Sequence, residues 1–112
     1  MRDPPVDYSA ADTQSLVERI RAHEEEIKRS GKAASALDAD RYWPYDIDRA
    51  VLGMFLFRQK NERWPRDWRE LLASGLVVDP SCIHGNWSLH HVENGWEISL
   101  DRWGTIALYR ER

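Results

Sequence analysis

The chain has 112 residues, of which 42% are hydrophobic and 31% are charged, and this composition predicts one globular domain spanning residues 1–112. Its formal net charge is −3 with both signs mixed along the chain, so no basic face for nucleic acid is expected. The single cysteine cannot form an internal disulfide, and the first residues contain no apolar signal segment. We therefore expect a cytoplasmic protein.

The first third of the chain predicts a flexible arm followed by an amphipathic helix. Residues 1–8 contain two prolines and three charges, which is typical of a flexible terminal segment. Over residues 9–31, apolar residues recur at helical spacing along one narrow stripe, and the remaining positions are mostly charged. Ser9 and Asp12 form a weak capping pair before this helix, and Gly31 is placed to end it.

The densest apolar run predicts a buried central helix. It covers residues 50–57, which is far shorter than the roughly 20 residues of a membrane-spanning helix, so no membrane span is expected. Apolar side chains on more than half of its circumference indicate packing on two sides. Asp46 or Asp48 is expected to cap this helix, and Gly53 permits a neighbouring segment to approach closely.

A short third helix is expected to follow. Pro65 occupies the first helical position, which proline favours, and Asp67 lies in the first turn near the positive end of the helix dipole. Gly75 is placed to end the helix in a left-handed conformation.

The apolar period changes from helical to two after residue 86, which predicts strands. Asn94-Gly95 is a strong signal for a two-residue hairpin turn, and it would place Leu89 opposite Leu100. One face of the hairpin then carries the residues expected to point inward: Trp87, Leu89, His91, Trp96, Ile98 and Leu100.

A second turn extends the hairpin to a three-stranded antiparallel meander with one buried face. A three-residue loop over residues 102–104 ends in a glycine expected to be left-handed. It would place Ile106 opposite Leu100 and Leu108 opposite Ile98. Together these elements predict an α+β domain in which the meander packs on the central helix and residues 46–110 form the core.

Aromatic residues provide the main functional signal. Six tryptophans and four tyrosines exceed what one small core is expected to absorb, and Trp and Tyr often anchor protein interfaces. We therefore expect a non-enzymatic protein-binding or assembly module whose partner is another protein or a second copy of the chain. The candidate interface residues are Trp103, Trp43, Trp64, Tyr42 and Tyr45.

Trp103, in the middle of the second turn, is the first of these candidates. The structural alternative is that its ring folds back over the edge of the sheet. Residues 42–45 likewise form either a plug over the end of the core or a stacking platform. The functional alternative is a small-ligand or carbohydrate-binding domain that uses Trp43, Trp64, Trp68 or Trp103 as stacking surfaces.

The chain offers little catalytic or metal-binding chemistry. Cys82, His84, His90 and His91 are potential zinc ligands, but adjacent strand residues point to opposite faces and no Cys-x-x-Cys pair is present. We therefore predict no cofactor, no metal and no catalytic residues. A polar cluster on the outer sheet face is a further candidate site, with a solvated sheet surface as the alternative; its members are His90, Glu97, Asp101 and Tyr109.

One resemblance to a known family covers about residues 47–110. An apolar helix is followed by Asn-Glu-Arg-Trp-Pro over residues 61–65, a short helix over 67–72, Gly-Leu at 75–76, and then a meander. This order resembles the soluble part of type IV pilins and pseudopilins. The apolar anchor helix and the cleavage signal of that family have no counterpart in this sequence. The resemblance implies the same arrangement of helix and meander, and it implies assembly or scaffold work.

Overall fold

The computed structural model describes residues 5–30, 43–77, 83, 87–101 and 104–111, and these residues form three helices and four strands. In chain order the elements are β1 (Val6–Asp7), α1 (Thr13–Ser30), α2 (Trp43–Asn61), α3 (Trp68–Ala73), β2 (Trp87–Val92), β3 (Gly95–Leu100) and β4 (Gly104–Arg110). The predicted α+β class and the antiparallel C-terminal strands are confirmed. Within the described residues, none of the helices combines the length and the hydropathy that crossing a bilayer requires.

The sheet contains a strand that the sequence analysis does not predict. Its strands lie in the order β1-β4-β3-β2, and β1 runs parallel to β4. The N–H of Tyr8 donates to the carbonyl oxygen of Leu108 at 2.8 Å, and the Tyr8 side chain is fully buried. Because this buried ring and the strand pairing fix the segment, the predicted flexible arm is wrong for residues 5–8. Residues 1–4 lie outside the described part of the chain.

The β2–β3 hairpin forms as predicted, with a register that differs by two residues. Leu89 lies opposite Ile98, whereas the sequence analysis placed it opposite Leu100. Because a shift of two residues keeps every side chain on its own face, the inner face of the hairpin is unchanged. Trp87 and Trp96 on this face are buried.

Gly95 explains the shift in register. It lies in β3 rather than in the turn, and a Cβ atom at this position would overlap the carbonyl oxygen of Tyr109 on β4. Asn94 takes the positive φ instead, at 64°, so Glu93 and Asn94 form the turn. Glycine is therefore needed at residue 95 for the close approach of a neighbouring strand.

A β-bulge changes the pairing between β3 and β4. Ser99 lies opposite Thr105, but Ile98 lies opposite Ala107, so Ile106 is an extra residue in β4. Both Ile106 and Ala107 are buried as a result. The β3–β4 pairs predicted from the sequence are therefore wrong.

The bulge also exchanges the faces of the following residues. Leu108 lies opposite Glu97 on the outer face, and Tyr109 lies opposite Trp96 on the inner face. Gly104 has a φ of 80°, so the left-handed conformation predicted there is confirmed.

Each helix begins at a different residue from the one predicted. Asp12 and Ser15 cap α1 reciprocally, with backbone-to-side-chain hydrogen bonds of 2.7 and 3.0 Å, so Ser9 is not the cap. Because α2 already begins at Trp43, Asp48 lies inside the helix and is fully buried. Asp67 is the N-cap of α3 rather than a first-turn residue, and its side chain accepts a backbone N–H at 2.8 Å.

The core lies between α2 and the inner face of the sheet. Its buried apolar residues are Tyr8, Leu16, Ile47, Ala50, Val51, Met54, Phe55, Phe57, Leu71, Val77, Trp87, Trp96, Ile98, Ile106 and Ala107. The buried central helix is therefore confirmed, although Tyr8 and Leu16 extend the core beyond the predicted range of 46–110. The close approach expected at Gly53 involves Val77, whose Cγ2 lies 2.6 Å from the position that a Cβ would take.

Candidate functional site

An open cleft lies where the end of α2 meets the β2–β3 turn. Glu62, the first residue after α2, has a positive φ of 60°, and it lines the cleft together with residues of the α2–α3 connection and of the hairpin. The cleft has a volume of about 660 Å³. We call it the arginine cleft, and its lining residues are Arg58, Glu62, Arg63, Trp64, Arg66, His91, Val92, Asn94, Gly95 and Glu111.

Arg58 is the central side chain of the arginine cleft. Its guanidinium carbon lies 4.7 Å from the centre of the Trp64 ring, which is a cation–π distance. Its Nη1 donates to the hydroxyl of Tyr109 at 3.0 Å, and its Nη2 forms an ion pair with the carboxylate of Glu111. The backbone N–H of Glu111 donates to the carbonyl oxygen of Asn94 at 2.6 Å, which holds this residue beside the cleft. The cleft therefore already contains an arginine that binds a carboxylate.

Two further arginines are held at the rim by Glu70. Arg63 donates from both terminal nitrogens to the Glu70 carboxylate, at 2.7 and 2.9 Å, and Arg66 donates to it at 3.1 Å. The hydrogen bonds from Arg63, followed by the backbone N–H of Arg66, lower the pKa of Glu70 to about 2. The Arg63 and Arg66 side chains remain 50% and 80% exposed. Each guanidinium therefore keeps donors for a further acceptor while Glu70 fixes its position.

A second cavity of about 450 Å³ adjoins the same side chains. Its lining includes Phe55 and Gln59 from α2 and residues 11–13, which lead into α1. Arg58, Glu62 and Trp64 complete it, and these three also line the arginine cleft. Arg58 and Trp64 therefore contribute to the walls of both cavities.

Of the predicted interface residues whose side chains the structure describes, Trp64 lines the arginine cleft and Tyr45 does not. Its ring is partly buried and makes edge contacts with Phe55, Trp96 and Tyr109, at centroid distances of 5.2, 5.8 and 4.9 Å. Because Arg58 lies over the Trp64 ring, a stacked sugar would first have to displace the guanidinium. Trp64 therefore packs as the edge of the core and presents limited surface to the cleft.

The other aromatic candidates are distributed elsewhere. Tyr45 links the first two helices, because its hydroxyl donates to Glu24 at 3.2 Å and its ring contacts His23. Trp68 is partly buried, and its Nε1 donates to the carbonyl oxygen of Trp87 at 3.2 Å. Tyr42, Trp103 and the side chain of Trp43 lie outside the described residues.

The structure divides the polar cluster predicted on the outer sheet face. His90 contacts Ser99 at 2.9 Å, and Glu97 forms an ion pair with Arg110 at 2.8 Å. Tyr109 was expected in this cluster, but the bulge places it on the inner face, so that assignment is wrong. Asp101 is exposed at the end of β3.

Of the four potential zinc ligands, the structure describes His90 and His91, and these two do not meet. His90 and His91 lie on opposite faces of β2, and Nε2 of His91 is 2.8 Å from the carbonyl oxygen of Pro65. Cys82 and His84 lie outside the described residues. Among the residues that the structure does describe, no three Cys, His, Asp or Glu side chains are placed to hold a metal ion.

A buried carboxylate cluster was missed by the sequence analysis. The hydroxyl of Tyr8 donates to Oδ1 of Asp48 at 2.5 Å, and Arg19 and His23 each approach the same carboxylate at 3.2 Å. Burial, followed by the negative charge of Asp48, raises the pKa of Tyr8 well above its usual value. A signal was present in the sequence, because Asp48 lies three and seven residues before Val51 and Phe55, on one side of the predicted buried helix. The cluster joins β1, α1 and α2.

Comparison with known proteins adds no family to these observations. No family model, no curated protein and no solved structure matches the chain. The likeness to the soluble part of pilins therefore stays a prediction from the sequence.

Proposed function

We propose that the protein is a non-enzymatic binding module that holds an acidic segment of another protein in the arginine cleft. One observation carries this proposal: three arginines and Trp64 converge on one open cleft, and Arg58 already holds the carboxylate of Glu111 there. Arginine suits this task because its planar guanidinium can bind a carboxylate through two parallel hydrogen bonds.

The dimensions and the charge of the cleft favour a short acidic peptide segment. A volume of about 660 Å³ lies within the usual range of ligand pockets. The three arginines of the lining are accompanied by Glu62 and Glu111, and Glu70 lies directly behind two of them. This mixture suits a few carboxylates at fixed positions, whereas a nucleic acid backbone requires a continuous basic surface.

The proposal keeps the protein partner expected from the sequence and moves the contact surface. Trp103 is the first candidate from the sequence and lies outside the described residues, whereas the arginine cleft supports Trp64 as the aromatic contributor. A carbohydrate-binding function has less support, because Arg58 and the neighbouring rings already contact the Trp64 side chain.

Titration with a charged peptide tests the proposal. A blocked hexaglutamate peptide is added to the ¹⁵N-labelled protein at low ionic strength, and a hexalysine peptide serves as the opposite charge control. We expect hexaglutamate alone to shift the indole N–H signal of Trp64 and the backbone signals of Asn94 and Gly95. Binding should weaken with added salt, because the arginines are partly exposed.

Arginine variants show whether the cleft is responsible. Arg58→Gln should weaken hexaglutamate binding by about 10-fold or more, which corresponds to losing a hydrogen bond between charged groups. Arg69→Gln is the matched control, because Arg69 is exposed on α3 and does not line the cleft. Equal effects of Arg58→Gln and Arg69→Gln, or no binding by the parent protein, would contradict the proposal. Thermal melts confirm that each variant is folded.

A further inference from the structure

The contacts of Arg58 show which groups of the chain itself lie against its guanidinium in the arginine cleft. A guanidinium group has five N–H donors in one plane, and it can present two of them to one carboxylate. One terminal nitrogen of Arg58 donates to Tyr109, and the other contacts Glu111. An incoming carboxylate that is to form a two-point contact with Arg58 therefore meets the position that Glu111 occupies.

Glu111 is attached in a way that allows its side chain to leave this position. Its backbone is fixed by the hydrogen bond to Asn94, at 2.6 Å, independently of the carboxylate. Its side chain is 41% exposed, and that of Arg58 is 37% exposed. Rotation about the side-chain bonds of Glu111 can therefore release the carboxylate into water while the backbone stays in place.

From these contacts we infer that Glu111 is an internal competitor, which occupies Arg58 until the acidic segment of a partner displaces it. This inference rests on the proposed function and adds a form of regulation at the same site. Ion pairs between partly exposed side chains are weak, so one internal carboxylate reduces affinity by only a small factor. The ion pair between Arg58 and Glu111 thus favours segments that supply several carboxylates over single free carboxylates. Such a segment also contacts Arg63 and Arg66, and these contacts offset the cost of breaking the ion pair.

Glu62 provides an internal comparison. It lines the same cleft and carries the same charge, so replacing it removes the same general repulsion toward an acidic peptide. In the part of the chain that the structure describes, no ion pair joins Glu62 to Arg58. The difference between Glu111→Gln and Glu62→Gln therefore isolates the effect of occupying Arg58.

The experiment measures hexaglutamate binding to the parent protein and to both variants by NMR titration at low ionic strength. Glu111→Gln should bind about two- to fivefold more tightly than Glu62→Gln, which is the range for an exposed ion pair. In the parent protein, the side-chain ¹³C signal of Glu111 should move toward its value in free solution during the titration, whereas that of Glu62 should not. Thermal melts of both variants show that the fold is retained, and Glu111→Ala provides a second variant without the carboxylate.

The outcomes separate this inference from the proposed function. Equal affinity of Glu111→Gln and Glu62→Gln, or weaker binding by Glu111→Gln, overturns the competitor role while Arg58-dependent binding by the parent protein still supports the cleft. Absence of hexaglutamate binding by both the parent protein and Glu111→Gln overturns both proposals. Tighter binding by Glu111→Gln together with the Glu111 signal change supports the competitor role.

Discussion

Replacement of Asp48 tests how the N-terminal strand and α1 are held to the rest of the domain. The carboxylate is 0% exposed, and it accepts a hydrogen bond of 2.5 Å from Tyr8. Arg19 and His23 also contact it, each at 3.2 Å. Asp48→Ala removes the acceptor of all three groups in one substitution.

The expected loss of unfolding free energy follows from how exposed the three partners of Asp48 are. Tyr8 is 0% exposed, so its hydroxyl is left as a buried donor without an acceptor, which costs about 1–3 kcal/mol. The Arg19 and His23 side chains are 41% and 31% exposed, so water can replace the carboxylate there. Each of these pairs contributes at most about 1 kcal/mol. We therefore expect Asp48→Ala to lower the free energy of unfolding by about 1–5 kcal/mol.

Urea denaturation with a double-mutant cycle measures this effect. Tyr8→Phe removes the stranded hydroxyl, so adding it to Asp48→Ala should recover part of the loss, by about 1 kcal/mol or more. The slope of unfolding free energy against urea should stay unchanged if the native and unfolded states keep their exposed areas. Tyr45→Phe is the matched control and should change stability by less than about 0.5 kcal/mol. Its hydroxyl donates to Glu24 at 3.2 Å in an exposed position.

Two results would refute this reasoning. The first is an Asp48→Ala protein whose free energy of unfolding lies within about 0.5 kcal/mol of the parent, the range of ordinary surface substitutions. The second is strict additivity of Tyr8→Phe and Asp48→Ala, because it would show that the two groups are not coupled.

Three further substitutions test the core, the sheet and the charge cluster behind the arginine cleft. Phe55→Ala should lower the free energy of unfolding by about 3–5 kcal/mol in urea denaturation, because it removes a buried ring that contacts two other aromatic side chains. Gly95→Ala should destabilise more than Gly75→Ala in the same assay, since a Cβ at residue 95 overlaps the backbone of β4. At residue 75 a Cβ meets no atom within 4 Å, so the loss there is limited to the strain of placing alanine at a φ of 75°. Glu70→Gln should lower the melting temperature by a constant amount above pH 4.5, and this difference should disappear as the pH falls toward about 2. The stabilisation by Glu70 is lost on acidification because the folded protein keeps Glu70 ionised down to about pH 2, whereas the unfolded chain takes up the proton near pH 4.5.

Each of these predictions has a clear contrary result. A Phe55→Ala protein that melts within a few degrees of the parent would place the core elsewhere. Equal losses from Gly95→Ala and Gly75→Ala would mean that β4 does not approach residue 95 closely. A melting-temperature difference for Glu70→Gln that persists unchanged at low pH would show that the ion pairs with the arginines are not its origin.

Local patterns predicted most elements, because helix and strand periods depend on which residues face the core. The apolar run over residues 50–57 predicted the buried helix, and the alternation after residue 86 predicted the inner face of the hairpin. Element ends were less predictable. Aspartate favours helix caps, so the sequence places the cap at Asp46 or Asp48, but the helix begins at Trp43 and contains both residues.

The candidate site is harder to predict from the sequence than the fold is. Arg58, Arg63 and Arg66 lie close together in the chain around the end of α2, but nothing in their spacing shows that Glu111 lies beside Arg58. The excess of tryptophan suggested exposed rings. Of the tryptophans that the structure describes, Trp96 is fully buried and Trp64 packs against it, so the core absorbs at least these two rings. Trp103 and the side chain of Trp43 lie outside the described residues, so their exposure stays a prediction.

The class of the domain, the central helix and the faces of the hairpin can be predicted from the sequence, because each depends on residues close together in the chain. The features that join distant segments are seen only in the folded chain. These are the parallel pairing of β1 with β4, the bulge at Ile106, the contact of Tyr8 with Asp48, and the convergence of Arg58 with Glu111. Each depends on which segments share one core, and a local pattern of hydrophobicity and turn residues does not contain that information.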